Sequence, residues 1–449
     1  MGYTAHTYRK CESMISISQN FLDSIGKPLE TAISGTITMP VEDGTLYTIN
    51  WNTENVISGS FSVSDKCIKG SGFSIGAVNS STLTATMYLP DYSATNLLGA
   101  KITAFYGVTT DSGFEQIPLG VFKVTKASPQ ADNLIQITVV TALYFANMYD
   151  SNDPEALPAK TLCTPQKPYS IFVYLCGRAG LEFGNTAEEV EAMPNGTELF
   201  SMPEDSTVST TTDCLSYLAT CLGGFVTCDR LTGKIIIKHF GATPVATLTL
   251  NKIYRGSLSI AGFSMELAKV AVTFYENGAF SSYAAAGLEE LTGNPNNVVV
   301  DITDNPFMEG LYFSNSKDLE YIINRLREIG DKIIVVPYKP FSCSYAGNPA
   351  IEVGDCVEVQ QTDGTYITTV ISSYNFTFRG RHILRCDGED ARLTGRIKVS
   401  EVSRLEKKLN RRINQTVPTH TTQSQFDADY SNGKLRDGLY IIDEEVQNG

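Results

Sequence analysis

Positive charge is in short supply in this sequence. Its 35 Lys and Arg are outnumbered by 49 Asp and Glu, leaving a net charge of −14 and a pI near 4.9. A protein that grips nucleic acid needs cationic patches to displace the counterions of phosphate, and this balance argues against one. Histidine is as scarce, with only His6, His239, His382 and His420. None falls in an H-E-x-x-H pattern, which excludes a zincin at the motif level. No two cysteines have C-x-x-C spacing, and no stretch is long and apolar enough to span a bilayer. Met1 to Asn20 is largely polar, unlike a secretory signal with its apolar core. The chain is therefore expected to be made and folded in a cytoplasm, where its 10 cysteines stay reduced and act as small buried hydrophobes.

What the chain does hold is β-forming residues in short runs. At 449 residues, 42% of them hydrophobic and 19% charged, it is long enough for about two to four domains with sizeable cores. Its 22 Tyr, together with Thr, Val and Ile, favour strands over helices. Residues 1–31 read as an N-terminal arm, ambiguous between helix and irregular chain around Phe21 and Leu22. Residues 32–150 read as a first strand block. Its strands are Ile33 to Met39, Leu46 to Trp51, Val56 to Val63, Thr82 to Leu89, Ala100 to Val108 and Ile135 to Thr141. A hairpin is expected at Phe114 to Val124, turning at Leu119-Gly120. Strands so short and evenly spaced point to a barrel or a sandwich.

Residues 151–247 read as a small α+β unit. Ser151 to Lys160 is linker-like, and Glu182 to Asp205 is acidic and loop-like. Helices are expected at Pro168 to Ala179, with proline in its first turn, and at Ser206 to Leu222, stopped by Gly223-Gly224. Phe225 to Cys228 and Lys234 to His239 then form a hairpin. Residues 248–395 read as a second strand block, with strands at Leu258 to Ile260, Val270 to Tyr275 and Asn297 to Ile302. A helix at Lys317 to Ile329 carries Leu319, Ile322, Ile323, Leu326 and Ile329 on one face, with Gly330 as its cap. More strands follow from Lys332 to Asp387. Residues 396–449 hold a basic helix, Arg396 to Ile413, with seven Lys or Arg against two Glu, then a polar stretch at Thr416 to Tyr430 and an apolar-acidic peptide at Leu435 to Val446.

Catalytic patterns are thin. His382 and Cys386 lie on one strand face, but four residues apart they are too distant to chelate one metal together. Gly70-Ser71-Gly72-Phe73-Ser74-Ile75-Gly76 has the wrong spacing for a phosphate loop, and a strand rather than a helix follows it. There is no P-loop and no G-x-S-x-G elbow. No cysteine stands at a helix start beside a histidine motif, which leaves a Cys-His hydrolase without a pattern. Catalytic residues: none. Cofactor-binding and metal-ligating residues: none.

Three segments carry a resemblance. One is Ile117-Pro118-Leu119-Gly120-Val121-Phe122-Lys123-Val124, preceded by Leu97-Leu98-Gly99-Ala100-Lys101-Ile102. The second runs from Asp213-Cys214-Leu215 through Gly223-Gly224-Phe225 to Asp229-Arg230-Leu231-Thr232-Gly233-Lys234. The third is Gly347-Asn348-Pro349-Ala350-Ile351-Glu352-Val353-Gly354-Asp355, then Thr369-Val370-Ile371 and Phe378-Arg379-Gly380. In this order they resemble the hub family of tailed phages and related contractile particles, which includes myophage baseplate hubs and the N-terminal part of siphophage tail-tip proteins. The resemblance implies a mainly β chain with an α+β insert, in which two tail-tube-like β-barrels flank a small mixed domain. Three chains would present six barrels to a six-fold tail tube. It further implies a homotrimer that meets the tail tube or distal tail protein and other baseplate, tail-fibre or tape-measure proteins. Its place would be the virion, assembled in the host bacterial cytoplasm, with no membrane anchor and no cofactor. DNA would pass through the channel without specific binding, a role that an acidic wall suits, although solubility alone also accounts for the charge. Many members continue into a cell-wall hydrolase or a long fibre. Here about fifty residues follow the last strand, fewer than a typical domain, so a non-enzymatic part is expected. Two rival readings stay open: a tail-associated cell-wall hydrolase, and a carbohydrate-binding adhesin using Tyr-rich loops.

Overall fold

Alternation of apolar and polar residues builds the first block. In β1 (Thr31–Pro40) Ile33, Ile37 and Met39 point inward. Gly35 stands between them, because a Cβ there would collide with the Trp51 ring and the Thr103 carbonyl. β2 (Leu46–Asn52), β3 (Ser62–Lys66), β4 (Thr82–Tyr88), β5 (Lys101–Thr110), β6 (Gly113–Pro129) and β7 (Leu134–Thr141) follow. Leu83, Ala85 and Met87 of β4 face Ile135, Ile137 and Val139 of β7 in register, the period-2 burial that a one-sided sheet requires.

The computed structural model describes residues 15, 17–25, 31–40, 45–147, 161–203, 206, 210–276, 279–286, 296–315, 318–390, 419–422 and 440–443. By its contacts the chain divides into two units, Met1–Glu389 and Asp390–Gly449. The fold is mainly β with several helices.

In the first unit one sheet takes strands from both blocks. From the second block come β11 (Ser259–Ile260), β15 (Phe341–Tyr345), β18 (Ser373–Thr377) and β19 (His382–Cys386). The sheet order is β11, β15, β19, β18, β3, β4, β7, β6, β5, β1, β2. Its seam is the antiparallel pair β18 and β3, with Tyr374 opposite Asp65 and Phe376 opposite Val63. The order is open, with β2 and β11 at its ends, so neither block closes into a barrel through the described pairings.

Smaller sheets lie beside it. β8 (Phe225–Cys228) and β9 (Ile235–Lys238) form the hairpin of the insert. β10 (Ala246–Leu248) runs parallel to β16 (Cys356–Gln360), which pairs with β17 (Tyr366–Val370). β12 (Leu267–Glu276) lies between β13 (Ala279–Ala286) and β14 (Val298–Asp301). The helix Thr211–Cys221 begins where the Thr210 hydroxyl accepts from the Asp213 N–H, five residues later than the composition suggests, and ends before Gly223 at φ +71°. In the second unit, β20 (Thr419–Thr422) pairs in parallel with β21 (Tyr440–Asp443).

Several expectations are corrected. The turn expected at Leu119-Gly120 is absent; β6 runs through it as one strand of 17 residues with a bulge, since Ala104 faces Gly120 while Phe105 faces Pro118. Gly120 takes φ +152° and lies so close to the Phe122 ring that a side chain would not fit. The hairpin turn sits instead at Asp111 and Ser112, between Thr110 and Gly113. Val56 to Val63 is not one strand, because Gly59 turns at φ +75° and pairing resumes only at Ser62. Gly330 does not cap its helix. That helix spans Leu319–Ile334, opens on the Asp318 side chain, and extends its buried stripe through Ile322, Leu326 and Ile329 to Ile333. Gly330 is interior to it, with Val270 of β12 nearby. The helix Pro306–Ser314, the short helix Ala187–Glu191 and β13 were not anticipated. The Ser151 to Lys160 linker and the Arg396 to Ile413 helix lie outside the described residues.

Candidate functional site

A buried cluster of charge lies where three parts of the chain meet: the β8–β9 hairpin, the Glu352–Asp355 turn and the seam strands. Asp229 holds the hairpin turn, accepting from the Thr232 N–H and hydroxyl, both at 2.7 Å. This orients Arg230 inward, where only 8% of it stays exposed. Arg230 places Nε 3.1 Å from Glu352 Oε1 and donates to the carbonyls of Pro349 and Ile351 at 2.9 and 3.1 Å. It also donates to the Tyr374 hydroxyl at 2.9 Å. Lys238, from β9, donates to Glu352 Oε2 at 2.9 Å and lies 4.0 Å from Asp355 Oδ1. The second Asp355 oxygen accepts from the Glu352 N–H at 2.8 Å.

Burial and charge compete here. Burial would raise the Glu352 carboxyl, but Lys238 and Arg230 outweigh it and hold its pKa below the ordinary value. Burial lifts Asp355 to about 6, with Lys238 only partly offsetting it. Asp65, on the inner face of β3, is lifted to about 6 by burial, against the opposing pull of Ser81 and Arg230. Burial pulls Arg230 and Lys238 down, yet the anions around each prevail, and both stay charged. The set ties three distant segments into one geometry. Removing one member would strand its partners in a medium of low polarity.

The residues singled out from sequence are placed as follows. His382 and Cys386 do share the inner face of β19. His382 packs edge-on against Tyr374 and Phe376, with ring centroids 5.7 and 5.5 Å away. Neither ring nitrogen has a hydrogen-bond partner among the described residues, and burial holds its pKa at about 3, so the imidazole is neutral. His239 instead sits 2.8 Å from the Leu222 carbonyl. Burial pushes Cys176, Cys214, Cys343 and Cys386 up to about 12 and Cys228 and Cys356 to about 11, which leaves thiols rather than thiolates. Among the described residues no group of three His, Cys, Asp or Glu is arranged to hold a metal ion. No described helix is long and apolar enough to cross a membrane.

The Gly70 to Gly76 loop is a packing device. Gly76, at φ +70°, lies against the Thr211–Cys221 helix, where a Cβ would strike Thr220. Its N–H donates to the Gly224 carbonyl at 2.7 Å, and its carbonyl accepts from the Ser216 hydroxyl at 2.8 Å. The network around Arg230 was missed from sequence, because Arg230 and Glu352 are far apart in the chain and each sits in a segment that reads as an exposed turn. The one local signal is the Asp229-to-Thr232 turn, which fixes where Arg230 must point.

No family model matches this chain, and no curated protein matches it. Among solved structures, it is similar to the 43 kDa tail protein of prophage MuSo2 from Shewanella oneidensis, at 14% identity over 80% of this chain and 98% of that one, with a TM-score of 0.42. It is similar to the prophage tail protein gp18 from Listeria monocytogenes EGD-e, at 13% identity over 84% and 100%, with a TM-score of 0.47. It is also similar to the E. coli c3393 protein, described as a type VI secretion component with structural similarity to T4 tail proteins gp27 and gp5. That match has 8% identity over 75% of each chain and a TM-score of 0.35.

Proposed function

We propose that this chain is a structural subunit of the tail tip or baseplate hub of a tailed phage or phage-like particle. In this reading three copies form a ring that caps the tail tube and frames the DNA exit. Residues 32–150 and 248–395 serve as the two tube-facing modules, and residues 151–247 brace them. The observation that carries the reading is the outer edge of the shared sheet. β2, Leu46-Tyr47-Thr48-Ile49-Asn50-Trp51-Asn52, contains no charge and no proline. Its outer side pairs with no other strand among the described residues, and Leu46 and Tyr47 are 71% and 50% exposed. Edge strands that must stay unpaired are blunted by lysine, proline or a bulge. An edge with none of these suits a subunit whose sheet is covered on assembly.

Native mass spectrometry of the purified chain, alone and with tail-tube protein, tests this. The expected species is three times the 49.0 kDa of one chain, and Leu46→Asp with Tyr47→Lys should shift it to monomer without lowering the melting temperature. A wild-type chain that stays monomeric even with tube protein present overturns the reading. Clearing of peptidoglycan in a zymogram would favour the hydrolase instead.

A further inference from the structure

The seam between the two blocks also has an outer face, away from most of the buried network. Val63, Tyr374, Phe376, Leu384 and Cys386 point inward. The alternate residues form two cross-strand rows on the other side. In one row Ser64, Asn375 and Ile383 stand side by side; in the other, Lys66, Ser373 and Arg385 do so. These rows, with Asn79, Ser80 and parts of Asp65 and Tyr374, line a concavity of about 400 Å³.

Three features set this concavity apart. First, it gathers two cations, although the chain as a whole carries a net charge of −14. Lys66 and Arg385 flank Ser373, which places their backbones roughly 10 Å apart, two strand spacings. Second, neither cation is neutralised. The Arg385 guanidinium has no hydrogen bond or ion pair among the described residues, and the Lys66 ammonium donates only to the neutral Gly70 carbonyl. Two carboxylates close by have other partners. Asp65 also lines the concavity, but its carboxyl accepts from the Lys66 N–H at 2.8 Å and burial lifts its pKa to about 6, and Asp387 accepts from the Ser372 and Ser373 hydroxyls at 2.8 and 2.6 Å. Third, Ser64, Ser80 and Asn375 add neutral hydroxyl and amide groups around the cations. A guanidinium and an ammonium facing one space match the oxygens of a phosphate or carboxylate, and neutral donors and acceptors match hydroxyls. A cavity of this size holds a small molecule rather than a chain segment.

We propose that this concavity binds a phosphorylated polyol, with the phosphate between Lys66 and Arg385 and its hydroxyls on Ser64, Asn375 and Asn79. Because the rows cross from β3 to β18 and β19, the ligand bridges the two strand blocks and stabilises the seam. The inference is independent of the assembly reading.

Isothermal titration of the full chain tests it with three probes: glucose 6-phosphate, inorganic phosphate and glucose. Saturable binding of the sugar phosphate is expected, weaker binding of inorganic phosphate and none of glucose, with the melting temperature rising alongside occupancy. Arg385→Ala and Lys66→Ala, both on a solvent-facing side, should each weaken sugar-phosphate binding about tenfold, or about 1.4 kcal/mol. Asn375→Asp, which keeps the shape and adds a negative charge, should do the same. Absence of saturable binding overturns the proposal, as does affinity unchanged in the Arg385→Ala, Lys66→Ala double variant with its melting temperature preserved. Equal affinity for inorganic phosphate and glucose 6-phosphate overturns the polyol assignment.

Discussion

The two strand blocks reach one sheet by different physical routes. In the first, β1–β2 and β5–β6–β7 are hairpins between near neighbours, and the interior is apolar: Ile33, Leu83, Phe122, Ile137 and Val139 are all buried. In the second, β18, paired with β19, crosses to β3, about three hundred residues away in sequence. Their inner face adjoins a charged cluster anchored on Arg230, 119 to 144 residues from the partners of its guanidinium. Apolar burial is non-directional and roughly proportional to area, so local patterning suffices to produce it. A buried ion network is directional: it adds little net stability but penalises every arrangement that leaves a charge unpaired. The first block is held by quantity of contact, the second by the identity of its contacts.

The largest expected effects would break this contrast. Phe122→Ala in the first block and Arg230→Met in the second should each cost about 3–5 kcal/mol in urea unfolding, one by a cavity and the other by taking one of two cations from Glu352 and the donor from the Pro349 and Ile351 carbonyls. Only the second is expected to be reversible by further apolar replacement. The triple variant Arg230→Met, Lys238→Met, Glu352→Leu should recover most of the loss. A triple variant as unstable as the single one would mean that the network stabilises in its own right.

Gly76→Ala sharpens the comparison where close backbone packing, with hydrogen bonds to Gly224 and Ser216, joins the first block to the insert. A positive φ combined with a collision against Thr220 should cost about 3 kcal/mol. Thr220→Ala in the same chain should restore part of it, read as the melting temperature. Absence of any restoration would put the cost in the backbone alone.

The smallest expected effect is a pH dependence. His382 has a folded pKa of about 3, depressed by burial from 6.5. Its neutral form is matched to the fold above 6.5, and stability is lost as pH falls from there towards 3. At about pH 5 the loss is about 2 kcal/mol. Asp65 and Asp355 act with the opposite sign. Their folded pKa of about 6 is raised from 3.8, so their stabilisation is complete below 3.8 and is lost as pH rises through 6. His382→Phe keeps an aromatic ring between Tyr374 and Phe376 and removes the first contribution. Its stability at pH 5 relative to neutral pH should therefore exceed the parent's by about 2 kcal/mol. Parallel pH profiles for parent and variant would refute this account of His382.

Elements with strict periodicity were legible in advance. β1, β4, β7, the Pro168–Arg178 helix and the β8–β9 hairpin fall close to where alternation, proline and glycine signals place them. The misreadings share a cause. Leu119-Gly120 looks like a turn, but its neighbours β5 and β7 impose continuous pairing and absorb the extra residue as a bulge. Gly330 looks like a stop, but tertiary burial of Ile333 carries the helix past it. Local propensity was overruled wherever a packed partner offered more than the local signal cost.

The sequence by itself determined the predominance of strands, the positions of most of them, the small helical insert and the scarcity of recognisable catalytic patterns. These follow from local rules of period, turn and charge. Only the tertiary structure decided that strands from both blocks share one sheet, that Arg230 and Glu352 meet, and that Lys66 and Arg385 flank one concavity. Those facts depend on contacts between residues more than a hundred positions apart, and no local pattern encodes which distant segment a strand edge or a buried charge will find.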